Sequence, residues 1–196
     1  MLTVKPQFLF SAASASQFLK TEKPVIAVCG KSNVGKSSFI NALANRKKLA
    51  KVSKEPGRTR LINYFDMGEF VLADLPGYGY ARVSMEEKAK WARLLDAFFA
   101  DRSNVGHVFC LVDIRHAPTA DDVQMTEYLN YNILPFTVVA TKSDKLSRAQ
   151  ISRSVTVIAA TLKCGPDNII VTSSQTGYGM DSVLAAIEKT VYPEQI

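Results

Sequence analysis

The chain predicts a three-layer α/β fold, with a six-stranded, mostly parallel sheet, one antiparallel strand and helices on both faces. Three observations carry that expectation. Short apolar, β-branched runs recur along the chain with helical patterns between them. Most of the runs are nearly all apolar rather than alternating, as strands covered on both faces should be. A glycine-bounded loop also joins the first clear run directly to a helix, the arrangement of a phosphate-binding turn.

The elements follow in order. Residues 1–23, with the small polar stretch Ser11-Ala-Ala-Ser-Ala-Ser16, read as a short extension ahead of a domain spanning 24–196. Val25–Cys29 is the first predicted strand, and Ser38-Phe39-Ile40-Asn41-Ala42-Leu43 belongs to the helix behind it. Ile62–Asp66 and Phe70–Asp74 are separated by too few residues to hold a helix, which predicts an antiparallel hairpin. Ser84-Met-Glu-Glu87 is a capping box opening a helix with Trp91, Leu94, Leu95, Phe98 and Phe99 on one face. After the strand Val105–Asp113, a second box, Thr119-Ala-Asp-Asp122, starts another helix. Phe136–Thr141 is the fifth strand. A third box, Ser147-Arg-Ala-Gln150, then opens a helix with Ile151, Val155, Ile158 and Leu162 at helical spacing. Ile169–Thr172 is the sixth strand, and a last helix after Asp181 turns Val183, Leu184, Ile187 and Val191 inward.

Composition sets the class. With 196 residues, 47% hydrophobic and 21% charged, the chain describes one well-buried globular domain, with no internal repeat and no low-complexity tract. No apolar run approaches a membrane span, and the first six residues lack a signal peptide's apolar stretch, so a cytoplasmic protein is expected, and a monomer is the separate expectation for its assembly. Cys29, Cys110 and Cys164 lack C-x-x-C spacing and read as free thiols of a reducing compartment. The net charge of +6 is concentrated in residues 46–60, where seven basic residues face the single acid Glu55. Two readings stand: a surface for a polyanion, RNA before membrane, or a solvated loop partly neutralised by a nucleotide's phosphates.

The motifs carry the chemistry. Gly30-Lys31-Ser32-Asn33-Val34-Gly35-Lys36-Ser37 is an unbroken G-x-x-x-x-G-K-[ST] loop, continued by Ser38. Its glycines let backbone N–H groups face phosphate oxygens, Lys36 reaches the terminal phosphates, and the Ser37 hydroxyl suits Mg²⁺. Asp74-Leu75-Pro76-Gly77 ends the third predicted strand, where a carboxylate can hold Mg²⁺ directly or through water and Gly77 N–H can approach a γ-phosphate. Thr141-Lys142-Ser143-Asp144 ends the fifth. The Asp144 carboxylate can accept from the N1–H and amino group of guanine, donors that adenine lacks there. Ser173-Ser174-Gln175 follows the sixth strand, where a backbone N–H can meet the guanine oxygen. Thr59, in Glu55-Pro56-Gly57-Arg58-Thr59-Arg60, is the natural second hydroxyl for the metal, in a segment that metal and γ-phosphate would order. Asp113-Ile-Arg115-His116-Ala-Pro118 is either a contact surface or a loop fixed by its own hydrogen bonds, and His107 is structural rather than catalytic. Tyr78 follows Gly77, and its aromatic ring cannot take a proton from an attacking water.

Together these residues resemble the translation-factor-related GTPases, and within them the small bacterial ribosome-assembly GTPases of the EngB (YihA/YsxC) family. The resemblance covers roughly residues 20–190 and rests on 30–38, Pro-Gly-Arg-Thr at 56–59, Asp-Leu-Pro-Gly-Tyr-Gly-Tyr-Ala at 74–81, the 113–118 motif and Thr-Lys-Ser-Asp at 141–144. It implies a P-loop GTPase fold with mobile switch segments near 46–61 and 77–84. Lys36, Thr59 and Gly77 would serve catalysis, and Gly57, Arg58, Thr59, Arg60 and Leu61 would join the nucleotide contacts. It further implies Mg²⁺-dependent GTP hydrolysis, action on the large ribosomal subunit and a link to cell division and septation. In related GTPases activated by K⁺, an asparagine sits where Asn33 does. A P-loop kinase or ATPase and a nucleotide-gated septation adaptor are the alternatives.

Overall fold

A computed structural model describes residues 5–50, 61–79, 84–100 and 105–193. The sheet has seven strands, one more than the sequence predicts: β1 (Gln7–Ala12), β2 (Val25–Gly30), β3 (Ile62–Asp66), β4 (Val71–Asp74), β5 (Val105–Asp113), β6 (Phe136–Thr141) and β7 (Ile169–Val171). They lie in the order β1-β3-β4-β2-β5-β6-β7. Among the described strands only β3 runs against its neighbours, antiparallel to both β1 and β4, so the expectation of a single antiparallel strand holds.

The added strand comes from the stretch read as an extension. Gln7 faces Asp66 and Ala12 faces Ile62, with the register slipping between Phe8 and Phe10. Phe8 stacks edge-on against Phe65 at 5.7 Å, Phe10 packs on Tyr64 at 5.2 Å, and Ser11 Oγ donates to Asn63 Oδ1 at 2.6 Å. Phe8 and Leu9 stay exposed at the sheet edge, so the strand lacks the inward alternation that would announce it.

Helices α1 (Lys36–Leu43) and α5 (Met180–Val191) cover one face, and α2 (Met85–Ala100), α3 (Ala120–Tyr131) and α4 (Arg148–Leu162) the other. The pleat sorts the residues. Ile26 and Val28 of β2, with Phe109 and Leu111 of β5, meet Phe39, Ile40, Val183 and Ile187. Ala27, Cys29, Val108 and Cys110 face Leu94, Leu95, Phe98, Phe99 and Met125, while Val112, Val138 and Ala140 meet Ile158 and Leu162. The Cys29 and Cys110 thiols lie 3.4 Å apart across β2 and β5, buried and reduced.

The capping boxes close as their spacing predicts. Ser84 N–H meets Glu87 at 3.3 Å and Glu87 N–H returns to Ser84 Oγ at 3.2 Å. Ser147 N–H meets Gln150 at 2.8 Å, and Thr119 N–H meets Asp122 at 2.7 Å. Among the described residues, no helix is long and apolar enough to cross a membrane.

Candidate nucleotide site

Parallel pairing sets the site. Val28 of β2 lies level with Asp74 of β4, Gly30 with Leu111 of β5, and Asp113 of β5 with Thr141 of β6. The loops carrying the sequence motifs therefore leave one edge of the sheet, where α1 departs to one face and α2 to the other. Such a crevice is where open α/β sheets hold ligands.

The loop between β2 and α1 needs its two glycines for different reasons. A Cβ on Gly30 would meet the Leu111 carbonyl at 2.9 Å, so the close strand packing excludes one. Gly35 has φ +106°, a left-handed conformation that side chains oppose, and it opens α1. Asn33 is also left-handed, at φ +64°. Lys36 Nζ forms an ion pair with Asp74 Oδ1, and Asn63 Nδ2 donates to the other Asp74 oxygen at 3.3 Å. Asp74, the last residue of β4, thus faces the phosphate loop. Ser32 N–H donates to the Tyr78 carbonyl at 2.9 Å and Tyr78 N–H to the Gly30 carbonyl at 3.4 Å, which lays Gly77 directly against the loop. Lys31, Ser32, Gly35, Lys36 and Ser37 are half-buried, Val34 is buried, and Asn33 and Ser38 are exposed.

The second cluster is built on the turn after β6. Thr141 Oγ1 donates to the Val34 carbonyl at 2.7 Å, and Lys142 Nζ to the Asn33 carbonyl at 2.7 Å. This turn and the phosphate loop are therefore joined through side chains. Asp144 is exposed, with Oδ1 accepting from Ser173 Oγ at 2.7 Å and Oδ2 paired with Lys145 at 3.0 Å. The Ser173 hydroxyl and the Lys145 ammonium hold the Asp144 carboxyl below the usual range, so it is an acceptor at neutral pH. Lys145 Nζ reaches Gln175 at 3.3 Å, and Ser143 N–H bonds the Thr172 carbonyl at 3.1 Å. The two loops after β6 and β7 form one unit. Leu61, Leu75 and Pro76 lie in the described segments flanking β3 and β4, whereas Gly57, Arg58, Thr59 and Arg60 lie outside the described residues.

Three placements were not legible in the sequence. Tyr78 is buried, its ring edge-on to Trp91 at 6.0 Å and its hydroxyl donating to Asp122 Oδ1 at 2.9 Å. Burial pushes its phenol well above the usual value, so it remains a donor. The residue after Gly77 thus turns into the core beneath α3, and Asp122 serves both as the acid of a capping box and as its anchor. Trp91 Nε1 donates to the Pro76 carbonyl at 3.3 Å, tying α2 to the Asp74–Gly77 turn. Asn63 steers Asp74 from the hairpin partner. None of these contacts has a spacing signature.

His107 lies near the opposite end of β5, bonded to Thr137 Oγ1 at 3.0 Å, and burial lowers its pKa to about 4. It is neutral and remote from the motifs, as a structural histidine should be.

A phosphate loop, an Asp-x-x-Gly turn and a Thr-Lys-x-Asp turn at one edge of such a sheet define the P-loop GTPase class, and the family profile described as 50S ribosome-binding GTPase matches residues 25–142. A probable GTP-binding protein EngB of Streptococcus pneumoniae (strain Hungary19A-6) is 46% identical over 187 residues, covering 94% of this chain and 96% of that protein. The chain belongs to the EngB family of GTP-binding proteins. A crystal structure of a probable EngB shares the fold at TM-score 0.74 and 22% identity, covering 87% of this chain and 100% of that one. Era in complex with MgGDPNP and nucleotides 1506–1542 of 16S ribosomal RNA also shares it, at TM-score 0.63 and 21% identity, over 87% of this chain and 57% of that one.

Proposed function

We propose that the protein is a Mg²⁺-dependent switch that binds GTP, hydrolyses it slowly, and acts on the large ribosomal subunit during assembly, with a role in cell division and septation. The observation that supports the nucleotide reading best is the convergence of Lys36, Asp74, Lys142 and Asp144 on loops tied to one another at a single sheet edge. In this reading residues 24–196 are the nucleotide-handling domain.

Each residue has a role that its chemistry allows. The Asp144 carboxylate accepts from guanine N1–H and the exocyclic amino group, and backbone near Ser173, Ser174 and Gln175 meets the base oxygen. The N–H groups of the 30–35 loop and the Lys36 ammonium surround the phosphates, Lys36 exchanging Asp74 for phosphate oxygen. The Ser37 hydroxyl and Asp74 carboxylate are oxygen donors, the type a hard cation takes, with Thr59 completing the set. Bound there, Mg²⁺ would supply charge neutralisation at the phosphate oxygens. Gly57, Arg58, Arg60 and Leu61 would close over the nucleotide, and Gly77 N–H would stabilise the γ-phosphate.

Tyr78 supports slow turnover. Its hydroxyl is held by Asp122 and its ring by Trp91, so it does not orient an attacking water. Hydrolysis then depends on Lys36, backbone donors, the metal and what a partner supplies. Asn33, exposed on the phosphate loop, suits an activating K⁺. The ribosomal part draws on the family's description and on the basic segment 46–60. A cytoplasmic monomer fits this role.

Four measurements test the proposal. GTP should displace labelled GDP while ATP does not, and equal displacement by ATP would place the chain among ATPases or kinases. The full chain should co-sediment with large ribosomal subunits more strongly with a GTP analogue than with GDP. Indifference to nucleotide would overturn the switch. Turnover by the isolated protein should stay below about 1 s⁻¹. Hydrolysis should be faster in K⁺ than in Na⁺, with the difference lost in Asn33→Ala.

A further inference from the structure

The 113–118 motif has its own geometry, and it points back to the nucleotide site. Asp113 ends β5 level with Thr141 of β6. Arg115 grips its carboxylate with two guanidinium bonds, Nε to Oδ1 at 2.9 Å and Nη2 to Oδ2 at 2.7 Å, and adds its backbone N–H at 3.1 Å. Lys142 Nζ arrives from the neighbouring strand end at 2.8 Å, and the same ammonium donates to the Asn33 carbonyl at 2.7 Å. The hydrocarbon stem of Lys142 passes the phosphate loop, its Cε lying 3.6 Å from where a Cβ on Gly35 would be.

Two features separate this cluster from an ordinary surface ion pair, which contributes little. Arg115 engages both carboxylate oxygens, which fixes direction as well as distance, and the Asp113 side chain is only 17% exposed. Lys142 also adopts φ +66°, a left-handed conformation that a non-glycine residue keeps only where its surroundings impose it. Asp113 and Asn33 are what its side chain holds there. Without Asp113, Arg115 and Lys142 would lose the carboxylate that both of them hold, and only the Asn33 carbonyl would be left of the two groups that Lys142 Nζ bonds.

We propose that Asp113, clamped by Arg115, is a positioning residue for guanine-nucleotide recognition. It fixes Lys142 as a strut between the 141–145 turn and the phosphate loop, so that the base site and the phosphate cradle hold one geometry. This rests on the guanine-nucleotide site described above. Burial pushes the Asp113 carboxyl up, but Arg115 and Lys142 outweigh it and hold the group well below the usual carboxylate range. The strut therefore keeps its charge throughout neutral and mildly acidic pH.

The test is a binding cycle on the full chain with fluorescent GDP and GTP in Mg²⁺, using Asp113→Ala, Lys142→Ala and the double variant. Asp113→Ala should weaken GDP and GTP by the same factor, roughly tenfold or more, because a charged hydrogen-bond network is lost on the base side. The double variant should bind no more weakly than Lys142→Ala alone, since one residue acts through the other. A merely structural loss would instead add to the Lys142 effect, and that result would overturn the proposal. So would GDP binding by folded Asp113→Ala at the level of the parent protein. If Asp113→Ala does not fold, Arg115→Ala and Asp113→Asn enter the same cycle. Arg115→Ala should give a smaller loss in the same direction, and Asp113→Asn, which keeps an acceptor oxygen, should retain part of the affinity. Asp144→Ala separates the two layers of inference. Unchanged preference for GDP over ADP in that variant would remove the guanine site and the strut with it. Loss of preference there, beside unaltered binding in Asp113→Ala, would remove the strut alone.

Discussion

Tyr78 turns its side chain into the core. It occupies the position after Gly77 and points away from the phosphate loop, its hydroxyl on Asp122 and its ring on Trp91. Tyr78→Phe should leave the ring packing intact and cost about 2 kcal/mol, the worth of one buried hydrogen bond to a carboxylate. A urea unfolding midpoint lowered with an unchanged slope would show it. No motif could have announced this contact, because Asp122 is already explained by its capping box with Thr119. The same blindness hid Asp113. Its neighbours in sequence suggested a local loop, and the local part, Arg115, is indeed there, but the Lys142 bond crosses to another strand.

At the scale of elements, β5 carries a titration that the site does not use. His107 has its pKa lowered to about 4 by burial, below its unfolded value near 6.5. Between those two values the unfolded chain binds a proton that the folded chain refuses. Stability is therefore full above about pH 6.5 and falls as the pH drops towards 4, by up to about 3 kcal/mol. Replacing His107 with Gln should flatten that slope in denaturant titrations across the window. A helix start offers a second check: Ser147→Ala removes half of a reciprocal cap on α4 and should cost about 1 kcal/mol. Such boxes, and the buried strands, were legible because each signal is local: Ser147 and Gln150 meet within one turn, and Val25–Cys29 is apolar throughout. β1 was not, since its partner β3 lies far from it in sequence and Phe8 is half exposed at the edge. Removing residues 1–12 should uncover the edge of β3, lower the melting temperature and promote self-association measurable by light scattering.

For the molecule as a whole, the loops at one sheet edge make ligand and fold thermodynamically linked. GDP at a hundred times its dissociation constant should raise the unfolding free energy by about 2.7 kcal/mol, whereas ATP at equal concentration should add little. A thermal shift with both nucleotides reads this directly, and Asp144→Ala should erase the GDP shift while leaving the unliganded melting temperature close to that of the parent. The site legible from the sequence was a set of motifs. What the structure adds is their wiring, in which Thr141 and Lys142 bond the phosphate loop and Ser173 holds Asp144.

The placement of β2 between β4 and β5 also bears on how the protein is made. Cys29, the residue before the phosphate loop, lies beside Cys110, which is 81 positions further along the chain. A growing polypeptide exposes the loop before either flanking strand of β2 exists, β4 beginning only at Val71 and β5 at Val105. Parallel pairing over such distances forms slowly, because chain ends must meet before any contact rewards them. Nucleotide capture should therefore be a late event in biogenesis, appearing only in the slowest refolding phase, and a bound guanine nucleotide would mark a chain whose central sheet is complete.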